Sequence, residues 1–459
     1  MIRVFSHWFR LDTLLRVVSD LMLVSLLTVL AVAWLNRGHL PALEAAAPYA
    51  LLFAVTMIAL DTALGFYQRS TERAVVHGVL RVVVSFLLAV PVAYGVFGVL
   101  PGQVIETEVL ALAALPILIV MVGLRGYSAR SVFGPMLIRR VMVLGTGSEA
   151  AAVEQSLVSQ GAGIQVVGFY PVQSNEATQV PQHRVFPDVL SLADTARMHK
   201  ADEIIVAVCD RRGGMPLGEL LDCKLGGVRV LDLSTCFERV LGQVRLDSLR
   251  ASWLIFGEGF RQGLVRTVVK RAFDISAASI LLLATLPVML LTAFLIVLET
   301  GFPIFYRQER VGQGGRLFKV IKFRSMRTDA ERDGKPRWAA SNDDRVTRVG
   351  RAIRKTRIDE LPQLFNVLKG DLSLVGPRPE RAYFVDQLTR KIPFYAARHT
   401  VKPGLTGWAQ VRYRYGASVD DAAQKLQYDL YYVKNHTLFL DLVILVETVG
   451  VVLTGSGAQ

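Results

Sequence analysis

The segment with the most informative spacing of reactive residues is Lys355–Glu380, KTRIDELPQLFNVLKGDLSLVGPRPE. Two adjacent acids, Asp359 and Glu360, precede a short amphipathic pattern that ends at Gly370. Pro362 belongs in the first turn of a helix, so both acids are expected at its N-terminus, where the helix dipole favours negative charge. An ionised aspartate can attack phosphorus, and two neighbouring acids can hold Mg²⁺ against a diphosphate. Ordinary helix capping is the alternative reading of the same spacing.

Basic residues that can bind phosphate flank this acidic pair. Lys322 and Arg324 alternate along a strand-like segment and are therefore expected to share one face. Arg357 lies just before the acids, and Arg378 lies between two prolines that lower the cost of fixing it on a phosphate. We therefore predict a phosphate-binding site formed by Lys322, Arg324, Arg357 and Arg378. The arginines that flank the acids in sequence act in the same direction as the helix dipole, so both carboxylates should stay ionised at neutral pH. Each basic residue taken alone is more often part of a solvated surface, and it is their combination that favours phosphate binding.

The composition predicts a protein that is partly embedded in a membrane. The 459 residues are 52% hydrophobic, and the mean hydropathy is +0.38. The net charge of +13 is compatible with nucleic acid, anionic lipid or phosphorylated substrates, and the apolar segments favour the last two. Four such segments are near the length of a membrane span: 17–35, 45–64, 79–100 and 109–124. Arginines at their flanks predict that both ends of this bundle are cytoplasmic.

A different pattern, strands alternating with helices, runs from residue 139 to about residue 250 and predicts a parallel α/β sheet. The turn Gly145–Ala150 reads G-x-G-x-x-A, which can seat a dinucleotide pyrophosphate. The acid expected after the second strand is replaced by Tyr170 and Pro171. We therefore predict a Rossmann-like domain without assigned cofactor-binding residues. The three cysteines lack the spacing of a zinc site.

A further apolar segment, 277–298, is long enough to span a bilayer, yet basic residues lie on both sides of it. Pro287 removes a backbone hydrogen bond, so a break at Leu286 and Pro287 would let the helix enter and leave on the same side. We predict a re-entrant helix at about 271–300, with a kinked fifth span as the alternative. The segment 438–453, interrupted by Asp441 and Glu447, predicts an interfacial amphipathic helix.

The last third of the chain resembles the bacterial sugar transferase family, the monotopic phosphoglycosyl transferases. Together with four spans and a Rossmann-like domain, it is similar to the large membrane form, the undecaprenyl-phosphate glucose phosphotransferases of exopolysaccharide synthesis. The motifs that carry this resemblance are FYRQERVGQGGRLFKVIKFRSM (Phe305–Met326), DDRVTRVGRAIRKTRIDELPQLFNVLKGDLSLVGPRPE (Asp343–Glu380) and KPGLTGWAQV (Lys402–Val411). The chain departs from the family pattern at the helix break, where Leu286-Pro287 replaces the common Ser-Pro.

The resemblance implies a two-step reaction. Asp359 matches the family nucleophile, which would attack the β-phosphorus of a UDP-sugar, release UMP and carry a phosphosugar. The phosphate of undecaprenyl phosphate would then attack this intermediate and give undecaprenyl-diphosphate-sugar, the first step of exopolysaccharide or capsule assembly. Glu360 matches the second member of the dyad, and both acids would hold Mg²⁺. Glucose is the expected sugar, while galactose or an amino sugar, the pathway and a homo-oligomeric state are left open.

The predicted architecture is a multi-domain membrane protein with a four-helix transmembrane bundle (1–135), a Rossmann-like α/β domain (136–260) and a C-terminal α/β catalytic domain with a re-entrant helix (261–459). Its expected location is the bacterial inner membrane, as a multi-pass protein with its soluble domains in the cytoplasm. The expected partners are a UDP-sugar, undecaprenyl phosphate and membrane lipid, without nucleic acid. One alternative is a membrane-anchored NAD-dependent sugar-nucleotide dehydratase or epimerase. Another is a non-enzymatic assembly protein with a degenerate transferase domain.

Overall fold

The chain divides into two compact units, Met1–Arg3 with Trp8–Leu241 and Val4–His7 with Gly242–Gln459. The three domains predicted above divide the chain more finely than these two units, and their boundaries stay a prediction. The computed structural model describes residues 2–4, 7–9, 11–35, 40–63, 86–91, 116–120, 122–123, 139–159, 164–172, 177–208, 215–246, 260, 263–327, 345–413, 416 and 418–454.

Near the N-terminus, strands β1 (Ile2–Val4) and β2 (His7–Phe9) precede two long helices, α1 (Leu11–Leu35) and α2 (Leu40–Ala63). The two helices pack through a shared apolar core that includes Val24, Val32, Phe53 and Met57. By length and composition, Thr13–Trp34 could cross a membrane, and Ala47–Ala63 is a shorter apolar helix. The first two predicted spans are therefore apolar helices in the structure.

The third and fourth predicted spans, 79–100 and 109–124, fall mostly outside the described residues. Within them the structure describes helix at 86–91, 116–120 and 122–123. The four-span bundle therefore stays a prediction.

The middle α/β region has the predicted parallel sheet. Its strands, in the spatial order β4-β3-β5-β6, are all parallel. The strands are β3 (Arg139–Leu144), β4 (Ile164–Tyr170), β5 (Glu203–Val206) and β6 (Arg229–Asp232). The helices between and after them are α3 (Ser148–Ser159), α4 (Leu192–Met198), α5 (Leu217–Leu225) and α6 (Leu233–Leu241).

The apolar run of β3 is explained by burial on both faces of the sheet. Val141 and Val143 belong to one hydrophobic cluster, whereas Met142 and Leu144 belong to another. Gly145 follows with φ +118°, and a Cβ built on it would lie 2.3 Å from the carbonyl oxygen of Ala207. This glycine is therefore required by the close approach of Ala207, the residue just after β5, whether or not a nucleotide binds there.

The second unit contains the acidic pair. Its helices are α7 (Leu264–Thr300), α8 (Arg348–Lys355), α9 (Gln363–Lys369), α10 (Ala382–Lys391), α11 (Trp408–Arg412), α12 (Val419–Asn435) and α13 (Leu438–Thr454). Its strands are β7 (Phe305–Val311), β8 (Leu317–Phe323), β9 (Ser373–Val375) and β10 (Gly404–Thr406). Strands β7 and β8 form an antiparallel hairpin, and β9 and β10 pair in parallel.

Helix α7 is one continuous helix in which Pro287 lies near the middle of the apolar run. At 1.5 Å per residue, its 37 residues would extend about 55 Å if straight, which exceeds the roughly 30 Å of bilayer hydrocarbon. Many of its apolar side chains are exposed, for example Leu283 at 72% and Phe294 at 60%. Leu286 and Pro287 therefore lie within continuous helix, and the re-entrant path stays a prediction.

Helix α13 has the predicted extent. An interfacial amphipathic helix would expose its acids to water, but in the structure both acids of α13 point into the unit. Asp441 and Glu447 are buried and form ion pairs, Asp441 with Lys270 at 3.0 Å and Glu447 with Arg412 at 2.6 Å. The exposed side chains include Leu442, Val449 and Val452. The two acids thus fix α13 to the rest of the unit, because each has a cation partner that lies far from it in the sequence.

Candidate active site

Asp359 and Glu360 lie at the turn that leads into helix α9, as the sequence predicted. They belong to a 3-10 turn, Ile358–Glu360, and Pro362 is the N-cap of α9. Arg357 starts the turn in the left-handed conformation, with φ 59°. Both acidic residues are only 9% exposed. The dyad is therefore held at a helix start and largely shielded from water.

Glu360 is the centre of a cluster of cations. Its Oε1 accepts hydrogen bonds from Lys322 Nζ and Arg378 Nη2, each at 2.8 Å. Its Oε2 lies 3.8 Å from Arg357 Nη1. Burial pushes the pKa of Glu360 upward, but Arg378, Lys322 and Arg357 together outweigh it and hold the pKa well below its ordinary value. Glu360 is therefore a permanent anion that is neutralised by three surrounding cations.

The environment of Asp359 acts in the opposite direction. Burial and the neighbouring charge of Glu360 raise the pKa of Asp359 from 3.8 to about 6, against the influence of Lys322, Arg354 and Arg378. The sequence led us to expect that flanking arginines and the helix N-terminus would have the largest effect on the pKa of Asp359 and would lower it. In the structure the closest cations contact Glu360, so burial has the largest effect on the pKa of Asp359. The carboxylate of Asp359 is still mostly ionised at neutral pH.

One side chain, Asn366, joins helix α9 to strand β8 and so fixes the dyad relative to Lys322. Its Oδ1 accepts from the backbone N–H of Ile321 at 3.0 Å, and its Nδ2 donates to the carbonyl of Lys319 at 2.8 Å. Asn366 is 2% exposed, so its amide group hydrogen-bonds to the strand backbone in place of water. Its own carbonyl accepts the N–H of Gly370, which ends the helix at φ +98°.

The backbone that carries Arg378 is packed against the segment Lys402–Gly407 through glycines. A Cβ on Gly404 would lie 2.1 Å from the nitrogen of Gly376, and a Cβ on Gly407 would lie 2.2 Å from the carbonyl oxygen of Gly376. Gly404 N donates to Pro377 O at 3.0 Å. The contact admits no side chain on any of these glycines. This explains why the sequence carries both a G-P-R-P turn and a K-P-G-L-T-G segment.

A buried ion pair supports the same turn from the other side. Arg398 donates to the carbonyl oxygen of Arg378 at 2.9 Å and to Asp429 at 2.7 Å, while its Nη1 donates to the Tyr395 hydroxyl at 2.7 Å. Arg398 is 6% exposed and Asp429 is 2% exposed. Helix α12, which carries Asp429, therefore determines through Arg398 where the Arg378 backbone lies.

The structure thus brings together Asp359, Glu360, Lys322, Arg357 and Arg378 of the predicted site. Arg324 is placed elsewhere, because it donates through Nη2 to the carbonyl of Gly301 at 2.7 Å and to the Thr300 hydroxyl. Strand β8 ends at Phe323, so the alternation that put Lys322 and Arg324 on one face does not extend to Arg324.

Sequence reasoning did not assign three contributors to this site. Arg354 was expected only as one of the arginines that precede the acids, and in the structure it lowers the pKa of Asp359. Asn366 and Arg398 were not singled out. Their roles depend on contacts with segments far along the chain, which the local pattern does not reveal.

The donor set bears on the Mg²⁺ expectation. Among the described residues, no group of three or more His, Cys, Asp or Glu side chains is placed to hold a metal ion. Mg²⁺ is nevertheless commonly bound through one or two carboxylates plus substrate phosphates. The Asp359–Glu360 pair fits such a shared site, with Asp359 the less engaged carboxylate because Glu360 Oε1 already binds two cations.

Comparison with known proteins identifies related sequences for this half of the chain. The family profile described as "Bacterial sugar transferase" matches residues 265–455. A UDP-N-acetylgalactosamine-undecaprenyl-phosphate N-acetylgalactosaminephosphotransferase of Aeromonas hydrophila is 47% identical over 240 residues, covering 52% of this chain and 56% of that protein. The uncharacterized sugar transferase EpsL of Bacillus subtilis is 47% identical over 192 residues, 42% of this chain and 91% of EpsL.

A third relative is the UDP-glucose:undecaprenyl-phosphate glucose-1-phosphate transferase of Caulobacter vibrioides. It is 45% identical over 192 residues, which cover 41% of this chain and 71% of that protein. The aligned part therefore spans little more than half of the Aeromonas relative and most of the two others. The profile match includes the dyad, the three cations around Glu360 and helix α7.

Proposed function

The chain belongs to the bacterial sugar transferase family, and on that premise we propose that it transfers a sugar-1-phosphate from a UDP-sugar to undecaprenyl phosphate. The observation that carries the proposal is the unequal dyad. Glu360 is fully engaged with three cations, whereas Asp359 is a buried carboxylate beside them with a pKa of about 6. One acid is thus available for covalent chemistry, and its neighbour organises the positive charge.

In the first step, a carboxylate oxygen of Asp359 attacks the β-phosphorus of the UDP-sugar. The bond from this phosphorus to the oxygen that bridges to the α-phosphate breaks, and UMP leaves with the bonding electrons. Asp359 then carries the sugar phosphate as an acyl phosphate. Lys322, Arg357 and Arg378 neutralise the charge on the non-bridging oxygens, which is the main task of a protein in phosphoryl transfer.

In the second step, a phosphate oxygen of undecaprenyl phosphate attacks the same phosphorus. The bond between phosphorus and the Asp359 oxygen breaks, which regenerates the carboxylate and yields undecaprenyl-diphosphate-sugar. Asp359 and Glu360 are the carboxylates that would hold Mg²⁺ together with the diphosphate, and the ion would supply additional neutralising charge. Arg324 is not assigned to these steps, because its guanidinium donates to Gly301 and Thr300 at the end of α7.

The acceptor is a lipid, and the proposed location is the bacterial inner membrane, with the catalytic unit on the cytoplasmic side. Both ends of α7 attach to this unit, Arg271 through hydrogen bonds to the carbonyls of Val367 and Leu368, and Glu299 through the N-terminus of α8. Attachment of both ends to one unit is what a helix that dips into the membrane and returns requires, and that path would need a bend at Pro287 within the continuous helix. Cysteines introduced at Gly263 and Gln313 should react with an impermeant reagent from the same side, and reaction from opposite sides would refute this topology.

Glucose is the proposed sugar, because the Caulobacter relative is named a glucose-1-phosphate transferase, and exopolysaccharide assembly is the proposed context. The Aeromonas relative, which aligns over a longer part of the chain, makes N-acetylgalactosamine the second candidate. The names of these relatives do not favour an NAD-dependent dehydratase or epimerase. A panel of UDP-glucose, UDP-galactose, UDP-N-acetylglucosamine and UDP-N-acetylgalactosamine separates the candidates by their kcat/KM.

The decisive experiment supplies the purified protein in lipid with Mg²⁺, a radiolabelled UDP-sugar and undecaprenyl phosphate. We expect UMP release and labelled lipid from the wild type, and neither from Asp359→Asn. Without acceptor, a peptide containing Asp359 should gain the mass of the sugar phosphate. Asp386→Asn, which changes a 63% exposed aspartate paired with Arg390, is the matched control and should retain activity. Full activity of Asp359→Asn would refute the assignment of the nucleophile.

A further inference from the structure

Helix α8, which directly precedes the dyad, has one face made of basic side chains. At 100° per residue, Arg348, Arg351 and Lys355 fall within an arc of roughly 60°, and all three residues are exposed. The opposite face carries Val349 and Ile353, which pack in a cluster of apolar side chains. None of the three cations forms an ion pair with a residue that the structure describes. We call this surface the α8 basic face.

The position of α8 is fixed by the last turn of α7. Glu299 Oε1 accepts from the backbone N–H of Arg348 at 2.8 Å, and Oε2 accepts from that of Val349 at 3.0 Å. Thr347 adds the N-cap by accepting from Gly350 N at 2.9 Å. A carboxylate at a helix N-terminus satisfies otherwise free N–H groups. The first turn of α8 is therefore attached to the end of α7.

Exposed apolar side chains lie beside this attachment. Leu298 is 67% exposed and Phe302 is 75% exposed, on either side of the α7 terminus at Thr300. Apolar side chains of this kind, next to exposed cations, match the boundary between acyl chains and headgroups. If α7 lies in the bilayer, as the proposed function requires, α8 lies at the depth of the lipid phosphates.

We propose that the α8 basic face binds the headgroup phosphates of anionic phospholipids and so holds the catalytic unit against the bilayer. Basic residues at a membrane surface attract anionic lipids over about a Debye length, roughly 10 Å at moderate salt. Asp359 follows the last residue of α8 by four positions, so this contact also sets the height of the nucleophile above the membrane. The inference rests on the proposed function only for the placement of α7 in the bilayer.

The test uses the full-length protein in lipid nanodiscs, with a fluorescent amino acid in place of the exposed Ala352, at the edge of the α8 basic face. Energy transfer is measured to headgroup-labelled phosphatidylglycerol or to headgroup-labelled phosphatidylcholine at the same mole fraction. We expect greater transfer to phosphatidylglycerol, a difference that high salt removes. Each cation changed to glutamine should lower the enrichment by up to about fivefold.

The triple variant Arg348→Gln/Arg351→Gln/Lys355→Gln should lose the preference for phosphatidylglycerol. The matched control, Lys369→Gln/Arg390→Gln/Lys391→Gln, removes three exposed cations from elsewhere in the same unit and should keep it. Equal transfer to both lipids in the wild type, or equal loss in both triple variants, would overturn the proposal. Displacement of labelled phosphatidylglycerol by stoichiometric undecaprenyl phosphate would also overturn it, because the face would then serve the acceptor.

This measurement needs no substrate and is therefore independent of catalysis. An inactive protein that still enriches phosphatidylglycerol at residue 352 would count against the proposed reaction and leave the lipid contact standing. An active protein without enrichment would count against the lipid contact alone.

Discussion

Replacing the proposed nucleophile should make the protein inactive and at the same time more stable. The pKa of Asp359 rises from 3.8 to about 6 because the folded protein buries the carboxylate beside Glu360. At about 1.4 kcal/mol for each pKa unit, the ionised Asp359 costs the folded state on the order of 3 kcal/mol at pH 7.5. Asp359→Asn removes that cost, and a gain of about 3 kcal/mol corresponds to roughly 6–12 °C in Tm for a unit of this size.

The sign of this effect depends on pH in a defined way. A raised folded-state pKa means that the contribution of Asp359 to stability is fully present below about pH 3.8 and is lost as the pH rises through about 6. The advantage of Asp359→Asn should therefore be full at pH 7.5, fall to about half at pH 5 and vanish below about pH 3.8. Tryptophan fluorescence during heating in detergent can follow unfolding of this unit, since Trp408 is only 2% exposed.

The adjacent acid provides the control, because its pKa is shifted in the opposite direction. Glu360→Gln removes an anion that the fold stabilises and leaves Lys322 and Arg378 without their shared partner, so this variant should lower the Tm at pH 7.5. Two neighbouring acid-to-amide changes should thus have opposite effects on stability. A lower Tm for Asp359→Asn than for the wild type at pH 7.5 would refute the argument that burial dominates at Asp359.

Three further outcomes follow from the site geometry. Arg378→Gln removes a cation that lowers the pKa of Asp359, so the acid limb of the kcat/KM profile should move to higher pH, and an unchanged limb would contradict this. Gly404→Ala places a methyl carbon 2.1 Å from the backbone of the facing G-P-R-P turn and should abolish UMP release, with faster proteolysis as the structural readout. Arg398→Met leaves Asp429 buried without its cation and should cost about 3–5 kcal/mol in unfolding experiments, most of which Arg398→Met/Asp429→Leu should recover.

The part of the site that the sequence predicted is the part set by local rules. The start of helix α9 follows from Pro362, its end follows from Gly370, and Arg357 lies one turn from Glu360. Strand alternation was enough to place Lys322, because that residue lies within β8. It failed for Arg324, which lies just after the strand ends and turns toward α7.

The features that the sequence could not predict depend on residues that are distant in the sequence and pack together in the interior. The pKa of Asp359 is raised because its side chain is buried and because Glu360 binds the nearby cations, and neither fact can be inferred from the neighbouring residues in the sequence. The same holds for Asp441, which interrupts an apolar segment in the sequence and is buried beside Lys270 in the structure. Patterns of polarity locate an element, whereas the partner of each charge is a tertiary property.

The saturation of Glu360 has a consequence for turnover. In the structure its carboxylate already accepts from Lys322 and Arg378, so the substrate must compete with an internal anion for the same cations. In the proposed reaction Glu360 would act as a resident counter-anion that lowers the net affinity for nucleotides and for the lipid diphosphate alike. When UMP departs, the glutamate would recapture the vacated cations at once, so product release need not wait for bulk ions. A site that binds highly charged phosphates in both proposed half-reactions would thereby avoid being held by its own products.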